Sequence, residues 1–208
     1  MANASRLSDL AASRLCHDLV GPAGAVAAGL ELLDDPSDMD PEAMDLIRMS
    51  AAQLNSRLAY FRLAFGRADS GSVRLEEVRR ILEKFHRETV EVDWHPPVDL
   101  ATDSMPRVVA RVLLLASMVA QSAILRNSRL STRIAGTGDA IALGVLAEGQ
   151  GGRMDGAMQR VLGGEIGDDD YVPAMLPALL LAILCEESGF QMQFDARDGE
   201  TEIAVLCA

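Results

Sequence analysis

The sequence predicts an α+β fold, with an N-terminal α-helical hairpin over residues 1–67 and a C-terminal α/β sandwich over residues 73–208. Two observations predict the division. Residues 8–66 place apolar side chains at 3- and 4-residue spacing with a single break, whereas from residue 73 helical patterns alternate with short strand patterns bounded by glycine. A third observation predicts the assembly: each hairpin helix carries a coiled-coil-like apolar stripe that a two-helix hairpin alone cannot surround. The simplest closure is a two-fold homodimer, a four-helix bundle. The alternative closure folds the α/β domain back over the hairpin.

The elements follow in order. In "RLCHDLVGPAGAVAAGLELL" (14–33), Leu15, Leu19, Pro22, Val26, Leu30 and Leu33 fall on one stripe. "DDPSDMDP" (34–41) is a turn in which Asp40 suits an N-cap, Pro41 the first helical position and Glu42 the first turn. The second helix carries Ile47, Ala51, Leu54, Leu58, Phe61 and Phe65 at the same spacing, so Leu15, Leu19, Val26, Leu54, Leu58 and Phe61 are the expected dimer seam. "GRADSGS" (66–72) reads as a linker. Beyond it the pattern predicts a helix over 74–87, a strand over 89–94, a long helix over 104–126 and a hairpin turning at 136–139. A glycine-rich loop (149–152), a short helix (153–162), an apolar helix (172–188) and strands over 190–196 and 201–207 complete the chain.

Composition narrows the function. The 208 residues are 49% apolar but only 4% aromatic, so the core is aliphatic. A net charge of −12 argues against nucleic acid or an anionic membrane as partner. Three widely spaced cysteines (Cys16, Cys185, Cys207) without a CxxC point to a reduced, cytoplasmic setting rather than a disulfide framework. "MANASRLSDL" lacks the basic and apolar regions of a signal peptide, and the apolar "VPAMLPALLLAILC" (172–185) is too short to span a bilayer.

The chemistry concentrates on the back of the first helix. His17 lies nearly opposite the apolar stripe, and near its direction are Leu10, Ser13, Val20, Gly21, Gly24 and Ala28. A solvated helix face ordinarily carries charges, and each interior glycine costs about 1 kcal/mol against alanine. Small residues beside an exposed imidazole let another backbone come close, which makes this strip the expected docking surface. Pro22 removes a backbone donor about one turn beyond the histidine. Arg14, one turn before His17, is placed to hold phosphate oxygens; Asp18 is placed to fix the ring tautomer or take a proton, or is an ordinary surface carboxylate. Arg57 on the second helix lies level with His17 and is a further candidate.

"CHDLVGP" gives His-Asp-Leu-x-x-Pro, which resembles the phosphoacceptor box of sensor histidine kinases. On that resemblance, "RVLLLASMVAQSAI" (111–124) corresponds to the helix of the kinase N-box, "VLAEGQGG" (145–152) to the DxGxG loop, and residues 173–194 to the second glycine box and its helix. The ligands themselves are missing. Leu115 and Val119 stand where asparagines hold magnesium and phosphates, Ala147 where an aspartate reads adenine, and Tyr171, Pro173 and Met175 where glycines open the late helix. An aliphatic side chain cannot ligate Mg²⁺, which takes oxygen. A retained histidine on a degenerate ATPase-like shell is similar to the ChpT-type histidine phosphotransferases, dimeric relay proteins. The resemblance implies a phosphohistidine shuttle between receiver-domain aspartates, with the receivers of a hybrid histidine kinase and of response regulators as partners. It implies no cofactor of its own, Mg²⁺ coming with the receiver, and makes His17 the phosphoacceptor; the placement of Asp18, Arg14 and Arg57 around His17 makes them the further catalytic candidates. A non-catalytic adaptor that docks receivers, and a divergent ATP-dependent histidine kinase, are the alternatives.

Other constellations are ordinary. Cys16 and His17 point about 100° apart and make no nucleophilic pair. His86 and His95 have no metal-ligand spacing and read as a surface and a loop histidine. "GTGD" (136–139) reads as a hairpin turn, and "EGQGG" (148–152) lacks the aspartate of a nucleotide loop.

Overall fold

The computed structural model describes residues 2–33, 41–66, 71–87, 90–137 and 140–208. Two long antiparallel helices, α1 (Ala2–Leu32) and α2 (Pro41–Ala64), form the hairpin. α1 starts some two turns earlier than the sequence pattern indicates, and α2 opens on Pro41 as expected; Asp40 and the rest of the turn lie outside the described residues. The helices approach closely at Gly29, where a Cβ would meet Ile47 Cγ1 at 2.6 Å. A side chain there would have to push Ile47 aside.

The α/β unit is a five-stranded sheet covered on one face by helices. β1 (Ser72–Arg74) precedes α3 (Leu75–His86) and β2 (Val90–Trp94); β3 (Ser104–Pro106) precedes α4 (Arg107–Ser122). β4 (Arg126–Thr137), β5 (Ala140–Gln150), α5 (Gly156–Leu162), α6 (Leu176–Ser188), β6 (Gln191–Arg197) and β7 (Glu200–Cys207) follow. The strand order is β2-β4-β5-β7-β6, with β2 parallel to β4 and the other neighbours antiparallel. Strand alternation sorts the faces: Leu130, Ile134, Val145, Ile203 and Val205 are buried, while Arg129, Arg133, Glu148 and Glu202 face out. The long helix expected from residue 104 begins at Arg107 instead. Met105 precedes a proline, which disfavours the α conformation, and residues 104–106 pair with 72–74 as a two-stranded ribbon. Residues 138 and 139 of the "GTGD" turn are outside the described residues. Gly189, at φ 69°, ends α6, and Gly199, at φ 73°, makes the two-residue turn between β6 and β7.

The α/β unit folds back over the lower half of the hairpin, the alternative closure named above. Tyr60, Phe61, Leu63 and Ala64 at the end of α2 share one buried cluster with Leu82, Leu113, Leu114 and Leu179. The Tyr60 hydroxyl donates to the Leu114 carbonyl at 2.7 Å, and its ring stacks on Phe85 at 3.8 Å. Phe61 packs edge-on to Phe85 and against Phe65. Phe61 is therefore removed from the expected dimer seam: it is 2% exposed and belongs to its own chain's core. Leu15 and Leu19 are partly buried against the same cluster. Near the start of α1, Arg6 bonds Asp168 at 2.6 Å and lies over the Tyr171 ring at 4.1 Å, which ties the hairpin to the loop before α6. The upper half of the hairpin lacks such cover, and Leu30, Leu32, Leu46 and Met49 stay exposed there, as does Leu58 lower on α2. No helix of the described residues is long and apolar enough to cross a membrane.

His86 is a correction to the sequence reading. It is buried against the Tyr60 and Phe85 rings, and burial pushes its pKa down from 6.5 to about 4. The unfolded chain takes up this proton below about pH 6.5, whereas the folded chain holds it off until about pH 4. Its contribution to stability is thus complete above pH 6.5 and is lost as pH falls toward 4, by on the order of 3 kcal/mol. Urea unfolding of the wild type between pH 7 and 4.5 should lose stability more steeply than that of His86→Leu; parallel curves would contradict this assignment.

Candidate functional site

The site is built on one turn of α1. A helix turns about 100° per residue, so His17 and Asp18 diverge: the imidazole points outward and the carboxylate inward. The His17 side chain is 84% exposed and that of Asp18 is 11% exposed. The carboxylate nevertheless reaches back to the ring, with Oδ1 2.9 Å from Nδ1 of His17. Its other oxygen, Oδ2, accepts from Nε of Arg14 at 2.7 Å, the i,i+4 neighbour on the same helix. From the second helix, Nη1 of Arg57 donates to the backbone carbonyl of Asp18 at 2.8 Å.

The consequence is electronic. An ionised carboxylate only accepts, so the ring proton sits on Nδ1 and the lone pair is left on Nε2, the nitrogen facing away from Asp18. Arg14 holds the carboxylate that holds the ring. The four residues named from the sequence are thus gathered at one place. Arg57 is level with His17 as its distance from the turn indicates, but it bonds the α1 backbone, and the Nε of Arg14 is committed to Asp18.

The strip around His17 divides. Ser13, Val20, Gly21, Gly24 and Ala28 are exposed, and a Cβ added to Gly21 or Gly24 would meet nothing within 4 Å. Nothing in the fold of the chain therefore requires those two glycines. Leu10 is a correction: it is half-buried and packs against the core, because the α/β unit covers that turn of α1.

Behind the turn lies a cleft of about 250 Å³ between the hairpin and the α/β unit. Arg14, Asp18 and Arg57 form its hairpin wall, while Phe85, Met118 and Met158 line it from α3, α4 and α5. These three apolar residues carry no pattern in the sequence that marks them for a site, since only the packing of α3, α4 and α5 brings them there. Leu115, Val119, Ala147 and Met175, positions corresponding to kinase nucleotide-site residues, are buried in the core. Among the described residues no group of three or more His, Cys, Asp or Glu could hold a metal ion.

Comparison with known proteins supplies the context. A family model described as "Histidine phosphotransferase C-terminal domain" matches residues 75–200. The protein phosphotransferase ChpT of Brucella abortus (strain 2308) is 28% identical over 193 residues, covering 91% of this chain and 90% of that protein. A solved bacterial phosphotransferase superposes with a TM-score of 0.80 at 26% identity, covering 96% of this chain and 95% of its own. The catalytic domain of the histidine kinase ThkA aligns over 67% of this chain with a TM-score of 0.47 and 12% identity.

Proposed function

Because the chain belongs to the histidine phosphotransferase family, we propose that it is a two-component phosphorelay intermediate that carries a phosphoryl group between receiver-domain aspartates on His17. The observation that carries this reading is the ring itself, open to solvent, with Nδ1 2.9 Å from Asp18 Oδ1 and Nε2 on the side away from that carboxylate. In the forward step Nε2 attacks the phosphorus of an aspartyl phosphate in line. The P–N bond forms, the P–O bond to the carboxylate breaks, and its electron pair leaves with the aspartate oxygen. The phosphorylated ring is then a cation whose Nδ1 proton is shared with Asp18, and Arg14 balances Asp18 in turn. The return step is the same path reversed onto another receiver. Phosphoryl transfer asks mainly for position and charge balance, and three side chains supply both.

In this reading residues 1–67 dimerise and transfer while residues 73–208 form a degenerate kinase-like α/β domain. Ser13, Val20, Gly21, Gly24 and Ala28 receive the partner. The chain has no autokinase activity, because the buried Leu115, Val119 and Ala147 offer no oxygen to Mg²⁺ or adenine. The test mixes the purified protein with a receiver domain phosphorylated by acetyl phosphate and follows the phosphoryl group. Label should pass to this chain, then to a second receiver, and Mg·ATP alone should leave the chain unlabelled. A chain that binds receivers without accepting label would be an adaptor instead.

The homodimer is part of the proposal. Leu30, Leu46, Met49 and Leu58, with the half-buried Val26 and Leu54, give the hairpin an apolar surface of a kind that soluble monomers rarely leave bare. Leu58 is 46% exposed, so Leu58→Arg disturbs little within the chain. Sedimentation should show a micromolar wild-type dimer and a folded Leu58→Arg monomer; a wild-type monomer would refute the pairing.

A further inference from the structure

The backbone carbonyl of Asp18 has an unusual donor. In an α-helix that oxygen accepts from the N–H four residues on, here residue 22. Residue 22 is proline and has no N–H, yet α1 runs unbroken from Ala2 to Leu32. The lost bond falls on the carbonyl of the residue that orients His17. Its replacement comes from the other helix: Nη1 of Arg57, 39 residues away, donates to this oxygen at 2.8 Å.

We propose that Arg57 is a positioning residue, replacing across the hairpin the hydrogen bond that Pro22 removes at Asp18 and thereby fixing the His17–Asp18 pair for transfer. The proposal rests on His17 being the phosphoacceptor. Without a donor on that oxygen, the backbone turn that carries His17 and Asp18 would relax from its helical geometry. Here the same oxygen links the two helices at the level of the reacting nitrogen, and a charged donor makes the link a strong one. Arg57 acts on the backbone, and Arg14 on the carboxylate, so the two arginines hold Asp18 at separate points. A shift of about 1 Å at a reacting atom is enough to lower a rate up to about a hundredfold.

Pro22→Ala gives the test, because alanine at this position restores the missing N–H. Arg57→Ala is made in the wild type and in the Pro22→Ala variant, and transfer from a receiver phosphorylated by acetyl phosphate is timed. Expected is a fall of roughly tenfold or more in the wild-type background, with receiver affinity unchanged. In the Pro22→Ala background the same substitution should cost little. The fraction of His17 protonated at Nδ1, read from ring ¹⁵N shifts, should fall in Arg57→Ala and return in the double variant. Arg57→Lys should keep part of the rate, as a donor that still reaches the carbonyl. An equal penalty in both backgrounds, with the tautomer unmoved, would overturn the proposal and make Arg57 a ligand of the transferring phosphoryl oxygens. Where Arg57→Ala fails to fold, Arg57→Lys and Arg57→Gln are compared in the two backgrounds with the same criterion. His17→Ala separates the two levels: transfer persisting without His17 defeats the functional reading, whatever Arg57 does.

Discussion

His17→Ala is expected to abolish phosphoryl transfer completely while leaving the fold intact. The side chain is 84% exposed and its hydrogen-bond partner is Asp18, so its removal opens no cavity. Exposed substitutions of this kind usually stay within about 0.5 kcal/mol. The chain has two other histidines, and neither shares this setting: His86 is 1% exposed, and His95 follows β2 with its Nε2 3.4 Å from Asp93 Oδ2. Potassium phosphoramidate, a small phosphodonor for histidine, checks this without a partner. Label should appear on His17 alone, and ³¹P–¹⁵N correlation should place it on Nε2, since Nδ1 carries the proton given to Asp18. Asp18→Asn is the companion. An amide can offer an N–H to Nδ1 and so favour the wrong tautomer, and it cannot share the cationic ring's proton. Transfer should fall by roughly a hundredfold or more. Label on Nδ1, or full activity in Asp18→Asn, would dismantle the site as described.

The parts legible in the sequence are those set by local periodicity. The two helices, the sheet strands and the outward direction of His17 follow from 3.6- and 2-residue patterns, which need no knowledge of what packs against them. The stripe cannot say which chain covers it. Leu15, Leu19 and Phe61 have the same spacing as Leu30 and Leu58, yet the first three pack on their own α/β unit and the last two stay open. Leu10 misleads for the same reason, being one turn inside the region that unit covers. His86 reads as a surface residue because a lone histidine has no period; only the packing of Tyr60 and Phe85 around it reveals burial. At the site, the grouping of Arg14, Asp18 and His17 is a property of one helical turn and is visible in the sequence. The role of Arg57 is not, since it depends on a backbone oxygen that carries no side-chain signature. Pro22 is the available signal. A proline inside a helix strips the carbonyl four residues before it, and here that residue is Asp18.

Gly24→Glu is expected to cut transfer from a phosphorylated receiver by roughly a hundredfold and yet fold normally. Gly24 lies two turns beyond His17, about 10 Å along the helix and within about 45° of its direction. It is exposed, and a Cβ there meets nothing within 4 Å, so the chain itself has room for a side chain. Helix propensity would rise rather than fall. The cost therefore has to come from outside the chain. With Gly21, Ala28 and the exposed Val20, this position forms a shallow uncharged strip on which a receiver can seat closely. A carboxylate projecting from it would hold the partner's aspartate away from the imidazole, and in-line attack tolerates little displacement. Gly24→Ala, adding one methyl, should cost only a few-fold. The size of the donor decides between obstruction and damage. Phosphoramidate is small enough to reach His17 past the new side chain, so its labelling of Gly24→Glu should match the wild type, while transfer from the receiver collapses. Circular dichroism serves as the folding control. Equal loss with both donors would mean that the substitution disturbs His17 itself. Unchanged transfer from the receiver would mean that the partner approaches from another face, and that Gly21 and Gly24 are there for some purpose other than docking.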